Sequence, residues 1–189
     1  MTTTPTPRIV LPADPLVDGD TALRPWRDAD LPELVQACRD PEIVRWTSVP
    51  PAYTEADARH YLRQRYDAAF AGLTAPFAVV HAADDRLLGS ISLLRFSWGH
   101  ARGEVGYWLA AWGRGRGHAT RAVRLICEWG FSALRLERIE LMAATDNPAS
   151  QSVAERAGFT REAVLRSYMG GGIERQDMVM FSLLRGELD

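Results

Sequence analysis

The sequence predicts an α+β fold, with a mixed, mostly antiparallel sheet of six to seven strands and flanking helices. Apolar residues recur at helical spacing before residue 40 and again after residue 118, whereas residues 77–109 alternate with a period of two. A strand–helix–strand segment over 103–144 requires a crossover, which makes the fourth and fifth strands parallel. At 189 residues, 47% of them hydrophobic, the chain suits one domain with a full core.

The first half of the chain predicts a short sheet edge followed by two helices. Residues 1–18, rich in Thr and Pro, are expected to form a flexible N-terminal arm, and residues 19–189 a single domain. Local patterns and capping signals give each element. The expected elements are a strand at 22–26, a helix at 28–38 with Asp28 as N-cap, a loop at 46–53, and a helix from the capping pair Thr54 and Asp57 to about Phe70, ended by Gly72.

The second half predicts an antiparallel meander, a crossover and a final hairpin. In the helix at 118–133, the residues Ala122, Val123, Ile126 and Trp129 form the predicted buried stripe. The expected elements are strands at 77–81 and 87–96 around a turn at Asp84 and Asp85, a strand at 103–109, the helix at 118–133, a strand at 138–144, a helix at 150–157 stopped by Gly158, and strands at 163–169 and 175–184 joined by glycines 170–172.

A glycine-rich loop stands directly before the helix expected at 118. Gly113, Gly115 and Gly117 allow the backbone to turn its free N–H groups toward one point. The helix N-terminus adds roughly half a positive charge there. This segment therefore predicts an anion cradle, most naturally for a phosphate.

Two familiar glycine motifs do not fit this loop. A Walker loop needs a lysine after its last glycine, and the chain contains no lysine. A dinucleotide fingerprint would need Gly or Ala where Thr120 or His118 stands, after a strand of a parallel βαβ unit. Both nucleotide classes are therefore disfavoured.

The pattern that fits is Arg114, two residues, Gly117, one residue, Ala119. It resembles the acetyl-CoA loop of the GCN5-related N-acetyltransferase (GNAT) superfamily, whose signature is Gln or Arg, two residues, Gly, one residue, Gly or Ala. The flanks extend the resemblance to about 23–184, and their order resembles the branch that acetylates ribosomal-protein N-termini (RimJ/RimL-type). The flanking segments are EVGYWL at 104–109, NPAS at 147–150 and ERAGF at 155–159.

The resemblance implies that acetyl-CoA is the co-substrate and that strands four and five splay apart to admit it. Backbone groups of the strand end would then pair with the pantetheine amides, and the loop would hold the pyrophosphate. The side chains of Arg114 and Arg116 have two open interpretations, phosphate contact or solvated arginine. The implied cofactor-binding residues are Trp108, Leu109, Ala110, Arg114, Gly115, Arg116, Gly117, His118, Ala119, Thr120, Asn147 and Ser150.

Acetyl transfer to an amine needs a base for the amine and a partner for the leaving thiolate. Alternation places Glu104 on the same strand face as Gly106 and Trp108, so it is the candidate base; a structural carboxylate paired with an arginine is the alternative. The tyrosine that many family members use as acid corresponds here to Ala154. The resemblance to the N-terminal acetyltransferases implies Ser150 instead, for which a helix-capping role is the alternative.

The acceptor is predicted to be a primary amine, either a protein N-terminus or a small amine. Tyr168 and the glycines after it could border the acceptor site, as could Trp46, Tyr53 and Tyr66 unless these aromatics belong to the core. A catalytically silent acyl-CoA-binding regulatory protein is the alternative function. An RNA- or ribosome-binding module built on the arginine cluster 114–124 is a third interpretation.

Composition disfavours several other classes. A formal net charge of −2 argues against general nucleic-acid binding, and no apolar run reaches the length of a membrane span. Cys38 and Cys127 are expected to be reduced and packed in the core. The protein is expected to be cytoplasmic and to be a monomer or a homodimer. No metal is expected, because the four histidines lack ligand spacing: His60, His81, His100 and His118.

Overall fold

An eight-stranded sheet organises the part of the chain that the computed structural model describes, residues 8–170 and 175–188. The strands are β1 (Leu16–Asp18), β2 (Thr21–Arg24), β3 (Thr74–His81), β4 (Leu87–Ser97), β5 (Arg102–Leu109), β6 (Arg138–Ala144), β7 (Thr160–Met169) and β8 (Gln176–Leu184). The α-helices are α1 (Leu31–Cys38), α2 (Pro41–Trp46), α3 (Glu55–Phe70), α4 (His118–Ala133) and α5 (Pro148–Arg156).

The strand order is β1-β2-β3-β4-β5-β6-β8-β7, which confirms the predicted mixed sheet. Strands β2 to β5 form the antiparallel meander, and α4 carries the chain over to β6, which pairs with β5 in parallel. The sheet has more strands than the predicted six or seven. The additional strand is β1, which pairs with β2.

The ordered domain extends into the segment that the sequence predicts to be an arm. Ile9 is only 5% exposed within the main core, and Leu16–Asp18 forms β1. Residues 1–7 of the predicted arm lie outside the described residues, as do Gly171 and Gly172 of the predicted hairpin turn.

A separate hydrophobic core lies on each face of the sheet. The helices α4 and α5 pack on one face, and the predicted stripe of α4 is buried there, including Val123 and Ile126 at 0% exposure. The helices α1 and α3 pack on the other face. Burying each large apolar side chain contributes roughly 1.5–3 kcal/mol, so both layers stabilise the sheet. Cys38 and Cys127 are free and buried, as predicted.

The structure corrects the expected starts of two helices. Asp28 does not cap α1; residues 28–30 form a 3₁₀ turn, and the carboxylate of Asp30 accepts from the backbone N–H of Arg27 at 2.8 Å. The last helix starts earlier than residue 150, because Asn147 is its N-cap and Pro148 its first residue. Proline suits this first position since its missing N–H would have no helical partner.

Helix α2 was not predicted. Its N-cap is Asp40, whose side chain accepts from the N–H of Glu42 at 3.0 Å, and Pro41 follows at the first helical position. The Asp–Pro pair was the available signal. The capping pair predicted for α3 is confirmed. The N–H of Thr54 donates to the carboxylate of Asp57 at 2.8 Å, and the N–H of Asp57 donates to the hydroxyl of Thr54 at 3.3 Å.

Candidate active site

The parallel strands β5 and β6 separate halfway along their length. Their pairing runs from Arg102 opposite Arg138 to Val105 opposite Leu141 and ends there. Beyond that point, residues 106–109 pair with β4 and residues 142–144 with β8, so each strand keeps only its outer neighbour. This arrangement confirms the predicted splay, and it opens a gap through the sheet.

A cleft of about 1880 Å³ occupies this gap and reaches both faces of the sheet. Trp108 and Leu109 line it, as predicted. Ala110 does not: it is fully buried, and its N–H donates to the carbonyl of Leu88 at 2.8 Å. The open backbone edge of β5 is therefore shorter than the sequence suggested.

The glycine loop forms one end of the cleft. Gly115 and Gly117 have φ angles of +76° and +81°, the left-handed region that side chains rarely adopt. Helix α4 begins at the next residue, His118, and its first N–H groups have no partner within the helix. Within the described residues, the N–H groups of Gly115, Arg116 and Gly117 donate to no protein acceptor. These donors at a helix N-terminus suit a pyrophosphate.

Two arginine side chains connect the glycine loop to other parts of the chain. Arg114 donates from Nε to the carbonyl of Leu109 at 3.0 Å, and its Nη2 lies 2.7 Å from the carboxylate of Asp40. Arg121 contacts Asp20 at 2.7 Å and the carbonyl of Arg116 at 3.2 Å. Arg114 lines the cleft, and it also ties the loop to the N-cap of α2, a contact that the sequence did not predict.

The remaining predicted loop residues contribute unequally. Ala119 and Thr120 line the cleft, whereas Arg116 is exposed and outside its lining. The side chain of His118 is 2% exposed, with Nδ1 2.8 Å from the hydroxyl of Thr21. Burial lowers the pKa of His118 below its ordinary value, against the pull of Asp20. Only the backbone of His118 is available to an anion.

The loop glycines give a stability prediction. Replacing Gly117 by alanine puts a Cβ at φ +81°, which costs about 1–2 kcal/mol. We expect the melting temperature to fall by about 2–8 °C and acetyl-CoA to bind more weakly. Gly99→Ala is the control, since its Cβ would meet nothing within 4 Å. Equal melting temperatures for the two variants would contradict the prediction, and calorimetry measures both quantities.

Glu104 lines the cleft on the face that α1 and α3 cover. Its side chain is 11% exposed, and both carboxylate oxygens lie 2.9 Å from Nη1 of Arg95. Burial raises the pKa of Glu104 above its ordinary value; Arg95 opposes this, and Glu140 on the neighbouring strand adds to it. Glu104 therefore lines the cleft, as expected of the candidate base, and it also pairs with an arginine, as expected of the structural alternative.

Ser150 lies on the opposite face, at the start of α5. Its N–H donates to the side chain of Asn147 at 3.0 Å, so Asn147 is the helix cap and the hydroxyl of Ser150 serves another contact. That contact is the hydroxyl of Tyr107, at 3.1 Å. Asn147, Ser150 and Tyr107 all line the cleft. Ala154 is fully buried and brings no hydroxyl.

Sequence reasoning missed Tyr107. The available signal was strand alternation, which puts Tyr107 with Val105 and Leu109 on the face opposite Glu104. Burial raises the pKa of Tyr107, against its contacts with Ser150 and Arg156.

The aromatic residues predicted near the acceptor divide between cleft and core. Trp46 and Tyr53 line the cleft, and Tyr53 is also buried at 5% exposure. Tyr66 lies outside the lining, where its hydroxyl donates to the carbonyl of Trp26. Tyr168 is 48% exposed, and it is its neighbour Met169 that lines the cleft.

The described residues contain neither a cluster of metal ligands nor a membrane-spanning helix. No group of three or more His, Cys, Asp or Glu side chains could hold a metal ion. None of the helices is both long and apolar enough to span a bilayer.

Comparisons with known proteins agree with this geometry. Residues 21–160 match the family model described as "Acetyltransferase (GNAT) domain". The chain is 29% identical to N-acetyltransferase p20 of Bacillus licheniformis, over 85% of this chain and 89% of that protein. It is 32% identical to the ribosomal-protein-serine acetyltransferase of Escherichia coli, over 44% of this chain and 46% of that protein.

A solved structure matches the fold. Mycobacterium smegmatis RimJ, determined in complex with CoA-disulfide, superposes with a TM-score of 0.81 at 22% identity, covering 89% of this chain and 83% of that one. At this identity the likeness concerns the fold.

Proposed function

This chain belongs to the GNAT family of acetyltransferases, and from that premise we propose that Glu104 and Ser150 serve direct acetyl transfer to a protein N-terminal amine or a small amine. Family membership makes the chain an N-acetyltransferase with acetyl-CoA as co-substrate. The observation that carries the residue roles is the splay of β5 and β6, with Glu104 on one side and Ser150 on the other.

The donor would lie along the gap. The N–H groups of 115–120 would hold the pyrophosphate, and the open edge of β5 at Leu109 would receive the pantetheine amides as an added strand does. Asn147 lines the same wall and is proposed to contact the donor. Acetyl-CoA supplies the activated acyl group.

Glu104 is proposed as the base. An N-terminal amine, with a reference pKa of ~7.7–8.0, costs only about 1 kcal/mol to deprotonate at neutral pH, whereas a lysine at ~10.4 costs about 4.6 kcal/mol. The neutral amine is therefore readily available from an N-terminus, and Glu104 is proposed to take the proton that the nitrogen loses as the C–N bond forms. Burial raises the pKa of Glu104 and makes its carboxylate a better base. Ser150, on the opposite face, is proposed to donate a hydrogen bond from its hydroxyl to the sulfur as the C–S bond breaks.

The charge of the cleft bears on the acceptor. Formal charges balance along its walls, so a polyamine with several ammonium groups finds no excess of carboxylates. An N-terminus brings one charge, at the amine that reacts. The lining arginines are Arg45, Arg65, Arg95, Arg114 and Arg156, and the lining carboxylates are Glu42, Asp57, Asp67, Glu104 and Asp146.

Two measurements test the function. Acetyl-CoA at ~100 times its Kd is expected to stabilise the fold by about 2.7 kcal/mol, which is read as a rise in melting temperature. Thiol release is then followed against N-terminal peptides, amino acids, polyamines and aminoglycosides, and we expect the peptides to turn over fastest. The chain has no lysine, so lysine self-acetylation gives no background. Stabilisation without turnover on any acceptor would support the acyl-CoA-binding regulator instead.

The compartment and assembly remain part of the proposal. Two free, buried cysteines are typical of a reducing compartment, which supports the cytoplasmic prediction. The choice between monomer and homodimer stays a prediction that sedimentation tests.

A further inference from the structure

We propose that Tyr107 is a positioning residue for the acetyl-transfer step, and that its hydroxyl fixes the direction in which Ser150 donates. The observation is the 3.1 Å contact between the two hydroxyl oxygens on the wall of the cleft. The proposal rests on the proposed role of Ser150. The proposal gives Tyr107 the task of orienting Ser150. Neither the family motif nor position 154, which is an alanine, supplies a residue for this task.

Each hydroxyl brings one hydrogen to this pair, so the direction of donation matters. If Ser150 donated to Tyr107, its hydrogen would be unavailable to the leaving sulfur. If Tyr107 donates to Ser150, the serine accepts on a lone pair and keeps its own hydrogen for the sulfur. A phenol is more acidic than an aliphatic hydroxyl and is therefore the better hydrogen-bond donor, which favours the second arrangement.

Packing alone does not account for the tyrosine hydroxyl. The ring of Tyr107 packs against the core that α4 and α5 cover, a task that a phenylalanine ring would perform equally. Within the described residues the hydroxyl has one hydrogen-bond partner, Ser150. The backbone of Ser150 is fixed by Asn147 and its hydroxyl by Tyr107, so two contacts orient one side chain.

The step balances without proton loss from either hydroxyl. The amine lone pair forms the C–N bond at the thioester carbonyl carbon, and the C–S bond breaks with its electron pair going to sulfur. Ser150 stabilises the growing negative charge by donating a hydrogen bond, as an oxyanion donor does. Glu104 takes the proton of the amine and passes it to solvent, and solvent protonates the thiolate.

The test is a double-mutant cycle of Tyr107→Phe and Ser150→Ala, with rates measured under single-turnover conditions so that slow variants remain measurable. We expect Tyr107→Phe alone to lower the rate about tenfold, the equivalent of one oriented hydrogen bond. In the Ser150→Ala background the same change is expected to have no effect. Acetyl-CoA affinity should stay within about twofold in all variants, since the contact acts on the leaving sulfur.

Tyr66→Phe is the matched control, because it also removes a phenol that donates to one oxygen, the carbonyl of Trp26, outside the cleft. We expect it to keep the wild-type rate. An equal loss from Tyr107→Phe in both backgrounds would show a structural role and overturn the proposal, as would an unchanged rate in the otherwise wild-type protein. A wild-type protein that acetylates no acceptor would instead contradict the proposed function.

Discussion

Replacing Ser150 by alanine is expected to lower kcat about 100-fold and to leave the Kd of acetyl-CoA nearly unchanged. Losing one donor to a developing charge in a buried site costs roughly 10²–10³ in rate. The substitution spares the helix, since the cap bond uses the Ser150 N–H and the Asn147 side chain, and alanine is a good helix former. Steady-state kinetics and calorimetry on the purified protein measure the two quantities.

Ser152→Ala is the matched control for this prediction. Ser152 belongs to the same helix and is partly buried like Ser150, but it does not line the cleft. We expect it to keep the wild-type kcat. Equal rates for the wild type and Ser150→Ala would remove Ser150 from the mechanism.

Replacing Glu104 by glutamine is expected to lower kcat at neutral pH by about 100-fold, the low end of general-base effects. The pH profile gives the sharper test. The attacking amine must be neutral, and Glu104 must be ionised to take the proton that the nitrogen loses as the C–N bond forms. The logarithm of kcat/KM should therefore rise with a slope of two below both pKa values. The variant keeps only the amine, and its slope should fall to one.

The stability of this variant should not fall. The folded pKa of Glu104 is raised, so its ionisation favours folding less than it would in an ordinary carboxylate. A proton bound to Glu104 therefore stabilises the folded state. This contribution is complete at pH values below the pKa of Glu104 in the unfolded chain, and it is lost as the pH rises through the higher pKa of the folded state. Glutamine removes the ionisation, and Arg95 is half exposed and can turn to water.

Glu140→Gln is the matched control. Glu140 is as buried as Glu104 and pairs with Arg102 and Arg138, but it lies outside the cleft lining. The charge of Glu140 raises the pKa of Glu104. Removing this charge should therefore move the part of the pH profile that reports Glu104 to lower pH, while the slope of two remains. A slope of two in Glu104→Gln would exclude Glu104 as the base.

Local chemistry made much of this protein predictable from its sequence. Alternation and helical spacing act between near neighbours, so the meander, the stripe of α4 and the side of β5 that carries Glu104 followed directly. The glycines at 115 and 117 were equally legible, because positive φ is a local requirement that a side chain opposes. The crossover rule then fixed the parallel pair.

The misses were short elements and long-range contacts. Strand β1 has three residues and helix α2 has six, too few for a periodic signal. The ion pair of Arg114 with Asp40 was also missed, because Asp40 is 74 positions earlier in the chain. Spacing in sequence carries no information about such a partner.

The sequence by itself determined the family resemblance, the loop that predicts the acyl donor and the two candidate residues Glu104 and Ser150, since each depends on local pattern. Only the tertiary structure decided that these two face the gap from opposite sides of the sheet, that Arg95 clamps Glu104, and that Tyr107 reaches Ser150. Those facts depend on where β5 and β6 part and on which helix packs over each face. They arise from packing between segments far apart in the chain, which no local pattern encodes.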